Sequence, residues 1–174
     1  LQYPFACLCA TSYRRLSMYC VLFVCTGNIC RSATAEGVFR HMVTEADLAH
    51  RIGVDSVGTH DFHVGEPPDH RALQAGRARG YEFGDLRARQ LDMQDFIDFH
   101  LILAMHREHY RLLLRRCLPG TEKKLAMFLD AAPESGLMDV PDPYHGESGT
   151  FEQTLDLIES GSRGWLNAIR ADLR

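Results

Sequence analysis

The sequence predicts an α/β fold: a single domain with a four-stranded parallel sheet, helices on both faces and a phosphate-binding loop after the first strand. Three observations carry this. Short apolar runs alternate with segments whose apolar residues recur at helical spacing, the pattern of strands joined by crossover helices. No internal repeat or compositional break divides the chain. The first apolar run, Val21-Leu22-Phe23-Val24, leads directly into Cys25-Thr-Gly-Asn-Ile-Cys-Arg-Ser32 and then the helical-looking Ala33 to Phe39.

Each element has its own signal. Tyr19 to Val24 is a short apolar run closed by a turn, which reads as a buried strand. Ala35, Val38, Phe39, Met42 and Ala46 repeat at helical spacing, and Ile52 to Val57 alternates as a second strand. Residues 58 to 68 form a Gly/Pro-rich loop, after which Asp69 is suited to cap a helix ending at Gly80. Asp92 to Phe99 reads as a short helix and Leu101 to Met105 as the third strand. His106 to Cys117 is an amphipathic helix stopped by Pro119-Gly120, and Lys124 to Leu129 suits a fourth strand. A long loop with Pro133, Gly136, Pro141, Pro143, Gly146 and Gly149 leads to the last helix. There Phe151, Leu155, Ile158, Trp165, Leu166 and Ile169 mark the core stripe, while Gly161 and Gly164 are expected to weaken or kink it. Residues 1 to 17 have no periodicity and read as a disordered or misannotated leader, with the domain spanning 18 to 174.

With 174 residues, 45% hydrophobic and 24% charged, the chain suffices for one well-buried core. A net charge of −4 argues against nucleic acid or an anionic membrane as a partner, and no apolar run reaches membrane-spanning length. Arg14-Arg15 follows the early apolar stretch instead of leading it, unlike a signal peptide. The six cysteines form no Cys-x-x-Cys pair and five crowd into the first 30 residues. That is not a disulfide framework, so a cytoplasmic location is expected. His60-x-x-His63 and His106-x-x-His109 each place two imidazoles at helical spacing, but no further ligands fall nearby. No metal or cofactor is expected, and a monomer is favoured.

Cys25 and Arg31, six positions apart at a strand-to-helix turn, are what a nucleophilic phosphate-binding loop needs. Inward-turned backbone N–H groups make an anion nest, and the helix N-terminus adds positive potential. That field favours Cys25 as a thiolate nucleophile. Arg31 offers a planar fork for two phosphate oxygens, which a lysine lacks. Gly27 permits close backbone approach, Asn28 tolerates a left-handed conformation, and Ser32 is placed to donate its hydroxyl to the sulfur. Context matters, because Cys9 and Arg15 form a second Cys-x5-Arg with no strand, glycine or helix around it. Asp142, between two prolines in Val140-Pro-Asp-Pro-Tyr144, is the candidate general acid. On the residues alone, a general acid and a Pro-flanked turn aspartate are equally good readings of it.

The segment Val24 to Ser32, with Asp142-Pro-Tyr144 more than a hundred residues later, resembles the low-molecular-weight protein tyrosine phosphatases, most closely their bacterial branch. Asp55-Ser-Val-Gly-Thr59 and His63-Val-Gly-Glu-Pro-Pro-Asp-His-Arg71 extend the resemblance across nearly the whole span from Met18 to Arg174. It implies phosphotyrosyl protein substrates, Cys25 as nucleophile forming a phosphocysteine, Arg31 as phosphate clamp and Asp142 as acid and then base. It places Thr26, Gly27, Asn28, Ile29, Cys30 and Ser32 around the substrate phosphate, with Ser32 stabilising the thiolate. Asn28 and Ser56 correspond to the pair that props the loop, and Phe62 and Tyr144 to the aromatic walls of a deep cleft. Cys30 matches a second loop cysteine that traps an oxidised nucleophile as a disulfide; plain packing is an equally good reading.

Four positions depart from the family pattern. Ala33 stands where proline usually follows the serine, Leu86 where a histidine braces the asparagine, His106 where aspartate follows the third strand, and His145 where a second aromatic follows Asp-Pro-Tyr. They bear on rate, loop rigidity and, through the two imidazoles, pH dependence. Three rivals follow. A catalytically weak phosphotyrosine-binding module is one. An arsenate reductase on the same fold needs a cysteine relay, and only Cys117 lies beyond Cys30. A protein-arginine phosphatase would carry threonine in place of Ile29.

Overall fold

Both faces of β1 (Tyr19–Cys25) are apolar, and this puts it at the centre of the sheet. The computed structural model describes residues 18–146 and 149–173; the expected leader, 1 to 17, lies outside the described residues. β1 pairs in parallel with β2 (Ile52–Gly58), Cys25 opposite Gly58, and with β3 (Leu101–Ala104), Val24 opposite Ala104. β3 pairs in parallel with β4 (Leu125–Met127), giving the order β2-β1-β3-β4. Side chains alternate along β1. Val21, Phe23 and Cys25 join the core against α1 (Arg31–Glu45), α2 (His70–Ala78) and α5 (Thr150–Asp172). Cys20, Leu22 and Val24 join a second core with Phe96 of α3 (Asp95–Asp98), Phe99, and Leu113 of α4 (Arg107–Arg116).

The chain leaves β1 toward β2 on one side and returns to β3 on the other. The carboxyl end of β1 is therefore the switch point where open α/β sheets bind ligands. Cys25 is the last residue of that strand.

Two expectations need correction. The fourth strand stops at Met127, because Asp130 accepts the Met127 N–H at 3.1 Å and the chain turns into a 3₁₀ helix, Phe128–Ala131. The last helix is not broken at its glycines but runs continuously over Thr150–Asp172. A Cβ at Gly161 would overlap the Phe128 ring, and one at Gly164 the Ala131 carbonyl. Trp165 Nε1 donates to Phe128 O at 2.8 Å beside them. The glycines let α5 seat on the 3₁₀ turn, and close packing outweighs their poor helix propensity. Among the described residues, no helix is long and apolar enough to cross a membrane.

This packing makes a signed prediction. In an open helix, Gly→Ala gains about 1 kcal/mol, whereas overpacking a tight contact costs about 1–3 kcal/mol. Gly164→Ala is expected to lower the urea unfolding midpoint; a raised midpoint would show that the contact yields freely.

Candidate active site

β1 delivers Cys25 to the sheet edge, and α1 begins at Arg31, so residues 26 to 30 must turn within five positions. Asn28 makes the turn at φ 59°, in the left-handed region that asparagine tolerates better than most residues. Its backbone N–H points at Cys25 Sγ, 3.3 Å away. No side chain caps α1 and no acidic residue sits in its first turn, so its N-terminus is left open toward the loop. Ala33 lies in that first turn, where N–H groups have no intrahelical partner, so a proline and an alanine both fit.

A hydrogen-bonded chain holds this geometry from behind. Asn28 Nδ2 donates to Ser56 Oγ (2.7 Å) and Ser32 Oγ (3.0 Å), while its Oδ1 accepts the Arg89 backbone N–H (2.9 Å). Ser56 Oγ donates onward to Glu36 Oε2 at 2.7 Å, and Glu36 is buried. Ser32 Oγ lies 2.9 Å from Cys25 Sγ and 3.3 Å from Val57 O. A hydroxyl has one hydrogen to give. With a thiol at Cys25 it goes to Val57 O; with a thiolate it turns to the sulfur.

The segment around Arg89 braces the Asn28 side chain from the β2 side, its backbone N–H meeting Asn28 Oδ1. The Arg89 guanidinium binds Asp55 (2.8 Å) and Asp95 (3.0 Å), and the chain on either side clasps Gly58. Gly58 N donates to Arg89 O, and Leu91 N to Gly58 O. Gly58 is required here, because a Cβ would come within 2.7 Å of Thr26 O and 2.9 Å of His60 O.

The loop opens on a cavity of about 230 Å³. Cys25 and Arg31, 2% and 5% exposed, form its floor with Thr26, Gly27, Ile29 and Cys30. Phe62, His63, Tyr144 and His145 stand around its mouth, and Asp142 reaches in from the same side as Tyr144. Asn28 and Ser32 do not line it; their side chains are buried behind the sulfur with Ser56. Phe62 is 68% exposed and stacks on His60, ring centroids 5.0 Å apart. Arg71 lies over the Tyr144 ring and donates to its carbonyl at 3.1 Å, tying that wall to α2.

Arg31 is held by Asp142 Oδ2 at 2.7 Å, with longer contacts to Thr26 Oγ1 and Val140 O at 3.4 Å. Its buried Nε has no hydrogen-bond partner among the described residues. Asp142 Oδ1 accepts the Tyr144 N–H at 3.1 Å, an Asx-type turn inside the Pro-Asp-Pro segment. Burial, reinforced by Asp69, Cys25 and Asp142, pushes the Cys30 thiol far up, so it is neutral beside Cys25. His106 caps α4, its Nδ1 accepting the Glu108 N–H at 3.2 Å, a role that aspartate also fills. Among the described residues, no three His, Cys, Asp or Glu side chains cluster where they could hold a metal ion.

Sequence reasoning missed Glu36 and Arg89, read His63 and His109 as members of spaced histidine pairs, and took Gly58 only as part of a matched motif. Their partners at the site come from tertiary proximity.

The family of low molecular weight phosphotyrosine protein phosphatases matches residues 20–174. A low molecular weight protein-tyrosine-phosphatase of Streptomyces coelicolor is 43% identical over 157 residues, 87% of this chain and 94% of the relative. A putative one from Synechocystis sp. is 40% identical over 154 residues, 88% and 98% respectively. The crystal structure of YfkJ from Bacillus subtilis superposes with a TM-score of 0.86 at 37% identity, covering 91% of this chain and 98% of that one. On this fold, this loop and these relatives, the chain belongs to the low molecular weight protein-tyrosine phosphatases and is a phosphatase enzyme.

Proposed function

We propose that the chain hydrolyses phosphotyrosine in proteins through a phosphocysteine on Cys25, with Asp142 as general acid and then base. The observation that carries this is the convergence of three groups on one cavity. Cys25 and Arg31 lie at its floor, and Asp142, 111 residues beyond Arg31, meets that guanidinium at 2.7 Å.

The steps follow from the geometry. Phosphoryl oxygens enter the loop, take the Arg31 fork from Asp142 and satisfy the buried Nε–H. Cys25 Sγ attacks phosphorus, forming the S–P bond as the P–O bond to the tyrosyl oxygen breaks. Asp142, which takes up a proton from solvent on leaving Arg31, gives that proton to the tyrosyl oxygen, so tyrosine leaves neutral. A water then attacks phosphorus, Asp142 takes its proton, and the S–P bond breaks to return thiolate and inorganic phosphate. Ser32 and the Asn28 N–H stabilise the departing sulfur, which is the atom they face. The sulfur lies beneath walls formed by Phe62 and Tyr144. A long flat aryl stem carries a phosphate down to it, and a phosphoserine stem is too short. Cys30 lies in the same loop, but burial pushes its thiol pKa up, and a neutral thiol is a poor nucleophile toward an oxidised sulfur, which favours packing over a resolving role.

Two measurements test this. With a chelator present, the purified chain is expected to release p-nitrophenol from p-nitrophenyl phosphate, and Cys25→Ser to reduce release below detection with an unchanged far-ultraviolet spectrum. Release that persists in this variant would rule out the phosphocysteine; phosphotyrosine binding with no turnover would indicate a binding module. For Asp142→Ala, kcat/KM, which reports formation of the phosphocysteine and not the shared hydrolysis step, should fall by about 10²-fold or more for phenyl phosphate and much less for p-nitrophenyl phosphate, whose leaving group needs little protonation. Equal losses in kcat/KM would remove Asp142 from the acid role.

A further inference from the structure

One buried imidazole beside the loop has no part in that chemistry. His109, in the first turn of α4, is 6% exposed, and its Nε2 lies 2.9 Å from Thr26 Oγ1. Thr26 follows the nucleophile and lines the cavity, and its Oγ1 also accepts from Arg31 Nη2 at 3.4 Å. We infer that His109 is a positioning residue for the phosphate clamp: it donates Nε2–H to Thr26 Oγ1, fixes that hydroxyl between imidazole and guanidinium, and leaves the hydroxyl hydrogen to a phosphoryl oxygen. This rests on the reading of Arg31 as the clamp.

Donor counting settles the tautomer. A hydroxyl accepts twice and donates once, and a neutral imidazole carries one N–H. His109 Nδ1 is buried with no hydrogen-bond partner among the described residues. A proton there would bury an orphan N–H, a rarer fault in folded proteins than an unsatisfied acceptor. The proton therefore sits on Nε2. Thr26 Oγ1 then accepts from both sides, and its own hydrogen has the cavity to point into.

The ring is also uncharged. Burial, then the Arg31 guanidinium, His106 on the same helix end and His60 from the loop after β2 push its pKa down to about 3, against Asp139 alone. His109 therefore donates without placing a second cation beside Arg31 at any pH where the enzyme works.

The test is a variant series read as kcat and KM for p-nitrophenyl phosphate and as inorganic phosphate affinity by calorimetry. Glutamine carries its amide N–H at the distance of Nε2, asparagine at that of Nδ1, and phenylalanine fills the space with no donor. His109→Phe and His109→Asn are expected to lose at least tenfold in phosphate affinity and in kcat/KM, while His109→Gln recovers most of both. In a double-variant cycle, Thr26→Val/His109→Phe should be no worse than Thr26→Val, because the imidazole acts through that hydroxyl. The pH–rate limbs of the unsubstituted chain and His109→Gln should coincide above pH 4.

Equal losses in the Gln and Asn variants, losses that follow the unfolding midpoint, multiplicative effects in the cycle, or a limb that disappears with the imidazole would each overturn the inference. Phosphate binding needs no turnover. A chain that binds phosphate with this ranking but releases no p-nitrophenol would therefore sink the phosphocysteine reading and leave the role of His109 standing.

Discussion

The left-handed turn at Asn28 is the constraint on which the site depends. Left alone, a non-glycine residue there costs about 1–2 kcal/mol, and only over-determination keeps it in place. The side chain supplies that: two donated hydrogen bonds, both buried, and one accepted from the half-buried Arg89 amide. The direction of each bond is fixed by its ends. The Arg89 amide can only donate, which orients the Asn28 carboxamide. Ser56 Oγ gives its hydrogen to Glu36 Oε2, and the Asn28 hydrogens point to the two serines. The last hydrogen in the chain, on Ser32, is the one a thiolate at Cys25 would receive. A buried polar network that was only partly satisfied would be worse than an apolar core; this one is closed at every joint except the sulfur.

The sheet explains why such a network sits here. The switch point beside β1 leaves a crevice at the carboxyl end of the sheet, and Asp55 and Ser56, toward the end of the edge strand β2, supply polar groups to it. Gly58 at the end of β2 lets the loop backbone approach without a side chain between them, and residues 89–91 flank that end. Arg89 thus acts on the loop through its backbone while its guanidinium is occupied by Asp55 and Asp95. A brace of this type does not depend on which side chain stands at position 86. Leu86 packs against the core.

This division marks what could be read from the chain. The strand, loop and helix around Cys25 were legible because their chemistry is contiguous: Gly27, Asn28, Arg31 and Ser32 lie within one turn, and few chemistries besides anion binding call for those four types together. Element types followed from periodicity, while boundaries failed where a side chain intervened, as Asp130 does after β4. Gly161 and Gly164 were misread because propensity is local and the Phe128–Ala131 turn they receive is not. His106 and His109 share a helix end at a spacing that suggests a pair, yet one caps the helix and the other turns to the loop. Spacing alone could not separate them. Glu36 and Gly58 looked like ordinary helix and strand-end residues, and only the folded chain gives them a partner.

On the proposed mechanism, the ion pair between Arg31 and Asp142 looks at first like an obstacle, since the clamp must release the acid before either can act. Exposure decides the matter. Arg31 is buried, but Asp142 is 46% exposed and so half solvated in the resting pair. Water compensates the carboxylate when it departs, but the buried guanidinium cannot be left without a partner, so release of Asp142 has to be coupled to arrival of another anion. A phosphoryl group brings two oxygens in the plane of the fork, a second charge, and a partner for an Nε–H that the protein leaves unpaired. The exchange therefore runs toward the phosphate. Asp142 stays tethered by the Tyr144 N–H within reach of the departing oxygen, and the two flanking prolines limit how far it can swing. On the proposed mechanism, the same contact that screens the guanidinium in the resting enzyme sets the acid where it is next required.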